Sequence, residues 1–262
     1  MAVLGAPMCL IFIAYRQHLR YPLILAANRD EYYARPTASA HFWTDAPQVL
    51  AGRDRKGQGT WLGITRTGRF AAVTNFRAPG VNREGALSRG RLVSKYLQGQ
   101  HSAYDYCRAL GSRFQDYNGF NLLVGDLQQL CYCGSEEPTA NRLEPGLYGL
   151  SNHLLDTPWP KIRRGKQVFR ELLANDDLAS EDLLQLLADR VRLPDEELPH
   201  TGVGLEWERV LAPIFITSER YGTRSSTALL VSARGQVQFV ERTFDPSLGG
   251  PSTKRFDFFL TQ

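Results

Sequence analysis

The sequence has few cysteines and no long apolar segment. Four cysteines among 262 residues are too few for a disulfide framework and indicate a reducing compartment. No run approaches the roughly 18 consecutive apolar residues of a membrane-spanning helix, so no integral membrane segment is expected. The apolar run 9–15 is too short for a signal peptide core and has no basic region before it. We therefore expect a cytoplasmic protein with reduced thiols.

The sequence also lacks a strong excess of charge. Its formal net charge is +4, and its one basic cluster is KIRRGK at 161–166. This cluster lies in a helical pattern without interleaved aromatic residues, where a solvated face is the better interpretation. Nucleic acid is therefore not expected as a partner, whereas a small-molecule or amphipathic ligand is.

Metal and phosphate motifs are missing as well. The CYC stretch at 131–133 has no second ligand pair, and the five histidines show no ligand spacing, so no metal site is predicted. The Gly-rich stretch GRDRKGQGT at 52–60 lacks the ending of a phosphate-binding loop and leads into a strand pattern. It is interpreted as a structural loop in which Asp54 pairs with Arg53 or Arg77.

What the sequence contains is a series of strand and helix patterns. Period-two alternation or short β-rich runs, bounded by Gly, Pro, Asn and Asp, predict ten strands. They lie at 9–15, 22–28, 60–66, 69–75, 119–125, 128–134, 213–217, 224–232, 236–243 and 254–260. Helical patterns occur in pairs within 87–114 and at 158–175 and 179–191.

The connections between these patterns favour an α+β fold. Tight turns at 65–70 and 124–129 indicate antiparallel hairpins, and the paired helices are expected to pack on the sheets. The stretch 193–210 is rich in Pro, Gly and acidic residues and is predicted to be a long loop, with a lid as its candidate role.

Polar residues follow or interrupt apolar strands at four places. Because all four lie at or near strand ends, a sheet could gather them at one edge beside Cys9, which begins a strand of its own. Turn formation and solvation are the ordinary explanations for each place taken alone. The residues are Asn28, Arg29, Asp30 and Glu31, then Asn75 and Arg77, then Asn152 and His153, and finally Arg224.

A cysteine at the N-terminus of a chain carries its own base. Its α-amino group has a pKa of about 7.7–8.0 and can take the thiol proton at neutral pH. The thiolate then attacks a carbonyl carbon, and an Asn side-chain amide can stabilise the resulting oxyanion. A nearby Asp orients the ammonium group, and an Arg lowers the thiol pKa or binds a carboxylate. Cys9 and the polar strand ends supply a candidate for each part.

A series of motifs resembles the NRDE-motif family, also called transport and Golgi organisation protein 2 and its bacterial relatives. The resemblance runs in order from Met8 to about Val231. Its motifs are MCLIF, ANRDE, AGRDRKGQGTWLGI, VTNFR, SRG, NGFNLLVGD, YGLSN, PWPK and YGTRSSTALLV. It implies a fold similar to the N-terminal nucleophile (Ntn) hydrolases, which is a four-layer αββα sandwich of two antiparallel sheets between helix layers.

A more distant resemblance is to the cysteine-type Ntn amidases. In those enzymes the nucleophile follows the initiator Met, as Cys9 follows Met8, and a strand ends in an Asn-x-Asp pattern, which Asn28 and Asp30 match. Their later oxyanion-hole and arginine positions resemble Asn75, Asn152 and Arg224 here. The chain departs from them in having Ala27 where the amidases have an Arg, while Arg29 stands inside the motif.

Two functions follow as hypotheses. The first is hydrolysis of a non-peptide C–N bond, with Cys9, Asp30, Asn75, Asn152 and Arg224 as catalytic residues. The substrate would then be bound by Asn28, Arg29, Arg77 and His153. The second is carriage of haem or an acyl lipid in the same pocket, which the family's association with lipid metabolism and haem movement implies. No cofactor is required for the first, and haem is a ligand only in the second.

The eight residues before Cys9 bear directly on the first hypothesis. With residues 1–8 attached, the nitrogen of Cys9 is an amide and cannot act as a base. Residues 1–8 are therefore predicted to be a removable extension or to precede the true start, and residues 9–262 to form one domain. A chain that keeps the extension is expected to have the pocket but a blocked nucleophile.

Overall fold

The computed structural model describes residues 8–77, 83–245 and 249–261, apart from the side chains of Met8 and Ser112. The predicted extension 1–8 therefore lies outside the described residues except for the backbone of Met8. The strands are β1 (Met8–Tyr15), β2 (Leu23–Tyr32), β3 (Thr37–Phe42), β4 (Val49–Asp54), β5 (Leu62–Thr65), β6 (Phe70–Asn75), β7 (Phe120–Gly125), β8 (Leu130–Gly134), β9 (Asn141–Leu143), β10 (Gly146–Leu150), β11 (Tyr221–Val231), β12 (Gln236–Thr243) and β13 (Ser252–Phe259). The helices are α1 (Gly90–Gln98), α2 (Ala103–Leu110), α3 (Pro160–Leu173), α4 (Ser180–Leu187) and α5 (Leu205–Leu211).

These strands form two antiparallel sheets. The first has the order β10-β1-β2-β11-β12-β13, and the second follows the chain from β3 to β9. Each pairing between named strands is antiparallel, as the tight turns predict. The order of the first sheet places β2 between the N-terminal β1 and the late β11, so the polar end of β2 lies inside the sheet.

Strand alternation produces the layers. Ile11 and Ile13 of β1 pack in a core between the two sheets, whereas Leu10 and Phe12 pack in a second core under α3 and α4. A third core lies between the second sheet and the helices α1 and α2. The protein is therefore an α+β sandwich with two sheets between helix layers, which confirms the predicted fold class.

Some elements differ from the sequence patterns. In the apolar run 213–217, residues 213–216 are buried but form no strand, and the exposed Thr217 makes only an isolated bridge. A short apolar run does not distinguish a strand from any other buried segment, which explains this error. The predicted loop 193–210 contains most of α5, whose seven residues are too few for a clear helical period.

The ten predicted strands also leave four observed strands out. β3 and β4 precede the first hairpin of the second sheet, and β9 and β10 follow its last one. β10 has the sequence GLYGL, in which glycine weakens the strand preference, and pairing with β1 gives it its conformation. Within the described ranges, no helix has the length and apolar character needed to cross a membrane.

Candidate active site

A polar cleft of about 350 Å³ opens beside Cys9. Residues at the ends of several strands and in the adjoining loops line this cleft. The sequence predicts such a gathering of polar strand ends at one edge. Its walls are Cys9 of β1, the segment 29–31 of β2, the β4–β5 loop with Trp61, the end of β6 with Val73 and Asn75, and the segment 86–89 before α1 together with Gly90.

Cys9 is the second residue of β1. Because side chains alternate along a strand, its side chain shares a face with Ile11 and Ile13. It lies opposite Arg29 in the strand register and is half-buried, whereas the other three cysteines are buried. Burial and, to a smaller extent, the charge of Asp30 raise the pKa of the Cys9 thiol to about 12, although the charge of Arg29 opposes them. With its nitrogen in a peptide bond, Cys9 is therefore a neutral thiol at physiological pH.

Asp30 lies opposite Met8 in the β1–β2 register and next to the backbone of Cys9. Its Oδ1 accepts a hydrogen bond of 2.7 Å from the Thr223 hydroxyl, and its Oδ2 is buried without a hydrogen-bond partner among the described residues. Burial raises the Asp30 pKa to about 6, while the positive charge of Lys161 lowers it. Asp30 is thus a buried carboxylate with one acceptor atom available beside the start of β1.

Lys161 is a functional candidate that sequence patterns did not single out. It lies in the first turn of α3, is 5% exposed, and donates a hydrogen bond of 3.1 Å to the Leu211 carbonyl oxygen. Burial lowers its pKa to about 8, and Asp30 opposes that effect. The only sequence indication was its position in the PWPK motif, where a lysine falls on the buried face of the helix.

Arg29, Glu31 and Arg35 form a charged wall of the cleft. The Arg29 guanidinium lies 4.6 Å from the centre of the Trp61 ring and 3.6 Å from the Glu31 carboxylate. Arg35 is 3.4 Å from Glu31 and 2.6 Å from Asp54. The prediction that Asp54 pairs with Arg53 or Arg77 is therefore wrong. Asp54 pairs with Arg35 because the turn after β2 brings Arg35 next to the end of β4.

Two further observations concern the β4–β5 loop. Arg53 is paired with Asp45 at 2.6 Å, not with Asp54. The loop is also a wall of the cleft, because it lies directly against the segment before α1. A Cβ atom on Gly59 would stand only 2.4 Å from the carbonyl carbon of Gly90, so glycine at position 59 permits this close approach.

Arg89, at the end of that segment, is a second residue that sequence patterns missed. It donates a hydrogen bond of 2.9 Å to the Gly119 carbonyl oxygen and lines the cleft. Burial lowers its pKa to about 10, and the negative charge that Cys9 acquires on ionisation raises it. Arg89 is therefore a half-buried cation whose charge acts on the Cys9 thiol.

Asn75 lines the cleft, whereas Asn152 lies behind it. The Asn152 side chain donates a hydrogen bond of 2.9 Å to the Asn75 carbonyl oxygen. The neighbouring Ser151 hydroxyl is 3.2 Å from the Cys9 carbonyl oxygen and 3.1 Å from Asn152 Oδ1. Asn152 thus joins the end of β6 to the residues after β10, and Asn75 is the predicted oxyanion donor that lies at the cleft.

The structure does not bring Asn28 and Arg224 to the cleft. Alternation along β2 directs Asn28 to the helix layer, where its amide donates 2.9 Å hydrogen bonds to the carbonyl oxygens of Leu187 and Ile214. Arg224 donates 2.8 and 3.0 Å hydrogen bonds to carbonyl oxygens in the turn after β2. Arg224 therefore lies outside the lining of the cleft, which corrects the expectation that it acts on the Cys9 thiol. Arg89 lies near that thiol instead.

Arg77 and His153 also lie outside the cleft. Arg77 is 3.1 Å from Glu208 of α5 and 2.6 Å from the Thr201 hydroxyl, so it anchors the predicted lid segment. His153 is 2.9 Å from the Thr157 hydroxyl, and its ring packs between Phe76 and Trp159. In the part of the chain that the structure describes, no three His, Cys, Asp or Glu side chains are grouped as a metal site.

The two antiparallel sheets between helix layers have the arrangement of the Ntn-hydrolase fold. A solved structure with this fold is that of a Caenorhabditis elegans N-acylethanolamine-hydrolyzing acid amidase ortholog, which is 12% identical at a TM-score of 0.50 and matches 85% of this chain and 92% of that chain. The chain belongs to the Transport and Golgi organisation 2 family, whose profile matches residues 8–246.

Curated relatives extend over nearly the whole chain. It is 39% identical to the Bos taurus Transport and Golgi organization protein 2 homolog, covering 95% of this chain and 99% of that protein. It is 32% identical to Transport and Golgi organization protein 2 of Drosophila melanogaster, covering 90% of this chain and 92% of that protein. Family membership, as the sequence motifs predict, is therefore confirmed.

Proposed function

We propose that this protein hydrolyses a non-peptide amide bond with Cys9 as its nucleophile, once Cys9 is the N-terminal residue. The observation that carries the proposal is the buried Oδ2 of Asp30, which has no hydrogen-bond partner among the described residues. Asp30 is one register position from the strand partner of Cys9, and its charge acts on the Cys9 thiol. An unpaired buried carboxylate oxygen is costly, and the ammonium group of an N-terminal Cys9 would satisfy it. Asp30 would thereby orient that amine toward its own thiol.

The proposed reaction has two halves. In the first, the Cys9 amine removes the thiol proton, the sulfur attacks the substrate carbonyl carbon, and the Asn75 amide stabilises the oxyanion. The C–N bond then breaks, and the leaving amine takes the proton from the ammonium group. In the second half, the Cys9 amine activates a water molecule that cleaves the thioester, which releases the acid and restores the thiol.

Three cations, the buried Arg29 and Lys161 and the half-buried Arg89, support the ionisation that this reaction needs. Arg29 and Arg89 favour the thiolate of Cys9 because each places a positive charge near the sulfur. Lys161 favours the ionised form of Asp30. Each of these charges opposes the effect of burial, which alone would keep the Cys9 thiol and the Asp30 carboxyl group in their neutral forms.

The test compares chains with different N-termini. A chain that starts at Met8 and loses this methionine exposes the Cys9 amine, and mass spectrometry of the intact protein verifies its N-terminal residue. Hydrolysis of acyl amides, with N-acylethanolamines included because the fold neighbour is named for them, should require this form. Blocking the amine with residues 1–8 should lower the rate by about 10²–10⁴-fold.

The control for this experiment is Cys9→Ala in the same shortened chain, which should not hydrolyse the amide or form a thioester. Equal rates with and without residues 1–8, or in the alanine variant, would contradict the proposal. The alternative, carriage of haem or an acyl lipid, is measured on the same samples. Saturable haem absorbance changes that Cys9→Ala abolishes, without amide turnover, would favour carriage, since Cys9 is the residue of the cleft with a soft ligand atom.

A further inference from the structure

The charges of the cleft do not balance. Four cationic side chains and three carboxylates line it. Of the lining cations Lys56 is exposed, whereas Lys161 lies behind Asp30. Four shielded cations, namely Arg29, Arg35, Arg89 and Lys161, thus face three carboxylates, and one positive charge is in excess. Transfer of the Cys9 thiol proton to its own amine does not change this sum. A buried charge without a counterion is costly, and this excess therefore favours a ligand with one negative charge.

Arg89 is a half-buried cation of the cleft without a carboxylate in an ion pair among the described residues. In the part of the chain that the structure describes, its hydrogen bond goes to the Gly119 carbonyl oxygen and it takes part in no ion pair. Arg35, by contrast, is bound to Asp54 and Glu31. A guanidinium group offers five donors, and most of those of Arg89 remain available to a ligand in the cleft.

Arg29 provides a second, independent indication. Its side chain is 6% exposed and lines the cleft, and its Nη1 has no hydrogen-bond partner among the described residues. The Trp61 ring lies 4.6 Å from the guanidinium carbon and holds the plane of the group. Arg29 therefore reaches the same cleft with an unused donor, beside Cys9 in the strand register.

We infer that Arg29 and Arg89 bind a carboxylate of the substrate beside Cys9, so that the substrate class is a carboxylate-bearing amide. The inference rests on the proposed function for the reaction at Cys9. Two guanidinium groups match the planar geometry of a carboxylate. A single negative charge balances the cleft, whereas a dianionic phosphate would meet the three carboxylates that also line it.

Alkylation of Cys9 tests this inference without a known substrate. Iodoacetate and iodoacetamide react with the same thiolate, so a change in the thiol pKa cancels in the ratio of their rates, and only the effect of the negative charge remains. The other three cysteines are at most 1% exposed, and Cys9→Ser verifies that alkylation reports on Cys9. Arg89→Gln and Arg29→Gln should each lower the iodoacetate-to-iodoacetamide ratio about fivefold, and high salt should lower it in the wild type.

The matched control is Arg108→Gln, which removes an arginine of α2 that is 71% exposed and should leave the ratio unchanged. Arg89→Lys should restore part of the ratio because it keeps the charge without the planar group. An unchanged ratio in both glutamine variants and in salt would overturn the carboxylate site. Either variant is judged on folded samples, as shown by a cooperative thermal transition.

A protection experiment on the wild type keeps the inference testable if a variant fails to fold. N-acetylglycine should slow alkylation of Cys9 by iodoacetamide at least about tenfold more effectively than N-acetylethanolamine, which has the same amide and no charge. Equal protection, or none, would overturn the inference. If protection depends on the charge but no amide is hydrolysed, the carboxylate site stands and the proposed hydrolase activity is rejected. If only neutral amides are hydrolysed, the hydrolase activity stands and the carboxylate site is rejected.

Discussion

At the scale of single residues, two cations, the buried Lys161 and the half-buried Arg89, act on the acidic groups beside Cys9. Lys161 reaches Asp30 from the helix layer, and Arg89 reaches the cleft from the segment before α1. A positive charge favours the deprotonated form of every nearby acid, whether it is a carboxyl, a thiol or an ammonium group. Both cations therefore act in the same direction on the groups that the proposed reaction must ionise.

The first prediction concerns Lys161→Met. Loss of this positive charge should raise the Asp30 pKa above its value of about 6, because the charge of Lys161 lowers it in the wild type. A carboxyl ¹³C titration by nuclear magnetic resonance measures the shift, with Asp30→Asn to identify the signal. An increase of about one pH unit is expected.

The control is Lys166→Met on the same helix, since Lys166 is paired with Asp156 at 2.7 Å. This variant should leave the Asp30 titration in place. An Asp30 pKa that is the same in wild type and Lys161→Met would show that Lys161 does not act on this carboxylate.

Much of the cleft could be predicted because strand ends gather polar residues by simple geometry. Cys9, Asp30 and Asn75 follow from this rule. The alternation of side chains along β2 also separates Asn28 from Arg29, which could have been recognised from the sequence. Arg89 and Lys161 could not, because no local pattern tells which of the 31 basic residues becomes buried beside the cleft.

At the scale of elements, helices are positioned by close contacts as well as by apolar stripes. α3 crosses β1 where Gly165 meets the ring of Phe12. That ring lies 6.3 Å from the ring of Phe169 in the same helix, in a tilted arrangement. α5 is held by the buried pair of Glu208 and Arg77. Pattern and composition predicted α3 but not α5, because a tertiary ion pair, not a helical period, fixes the shorter helix.

Gly165→Ala is predicted to destabilise the protein although alanine favours helices. A Cβ atom at this position would stand 2.0 Å from Phe12 Cζ, so the helix or the ring must move. Overpacking of this kind costs about 1–3 kcal/mol, which urea denaturation would measure. Gln167→Ala, at an exposed position of the same helix, should change the free energy of unfolding by less than about 0.5 kcal/mol.

Glu208→Gln is predicted to loosen α5. Arg77 and Glu208 have side chains that are 8% and 5% exposed, and removal of one member of a buried ion pair costs about 3 kcal/mol or more. Faster amide hydrogen exchange in α5 should accompany the loss of stability. The matched control is Glu181→Gln in the exposed pair with Arg242, where the cost should stay below about 1 kcal/mol; equal costs would contradict the prediction.

At the scale of the whole molecule, buried polar contacts join the two sheets in addition to the apolar core between them. Glu241 of β12 accepts a hydrogen bond of 2.6 Å from the backbone amide of Ala40 in β3. Near the cleft, the Thr74 hydroxyl of β6 donates a 2.6 Å hydrogen bond to the Ser151 carbonyl oxygen after β10. These contacts fix the sheets relative to each other, and therefore fix the cleft that both sheets line.

Glu241 makes the stability of the sandwich dependent on pH. Burial raises its pKa from 4.5 to about 7, so the folded state prefers the neutral acid. Its contribution is fully present below pH 4.5 and is lost as pH rises toward 7, because the unfolded chain ionises first. Glu241→Gln should therefore gain about 1–3 kcal/mol relative to wild type between pH 4.5 and 8.

Urea denaturation at the two pH values measures this gain. Glu219→Gln, at an exposed position, should show no such gain. A difference between wild type and Glu241→Gln that is constant with pH would show that Glu241 remains ionised in the folded protein.

The sheet order also determines when the cleft can form during synthesis. β1 can pair with β2 early, but its other neighbour is β10, and the second neighbour of β2 is β11, which ends at Val231. At about 5–20 residues per second, a ribosome needs roughly 10–40 s to add the chain between Cys9 and Val231. During this interval β1 lacks its neighbour β10 and β2 lacks its neighbour β11, so enzymes that trim nascent chains would have access to the residues before Cys9 until the sheet is complete.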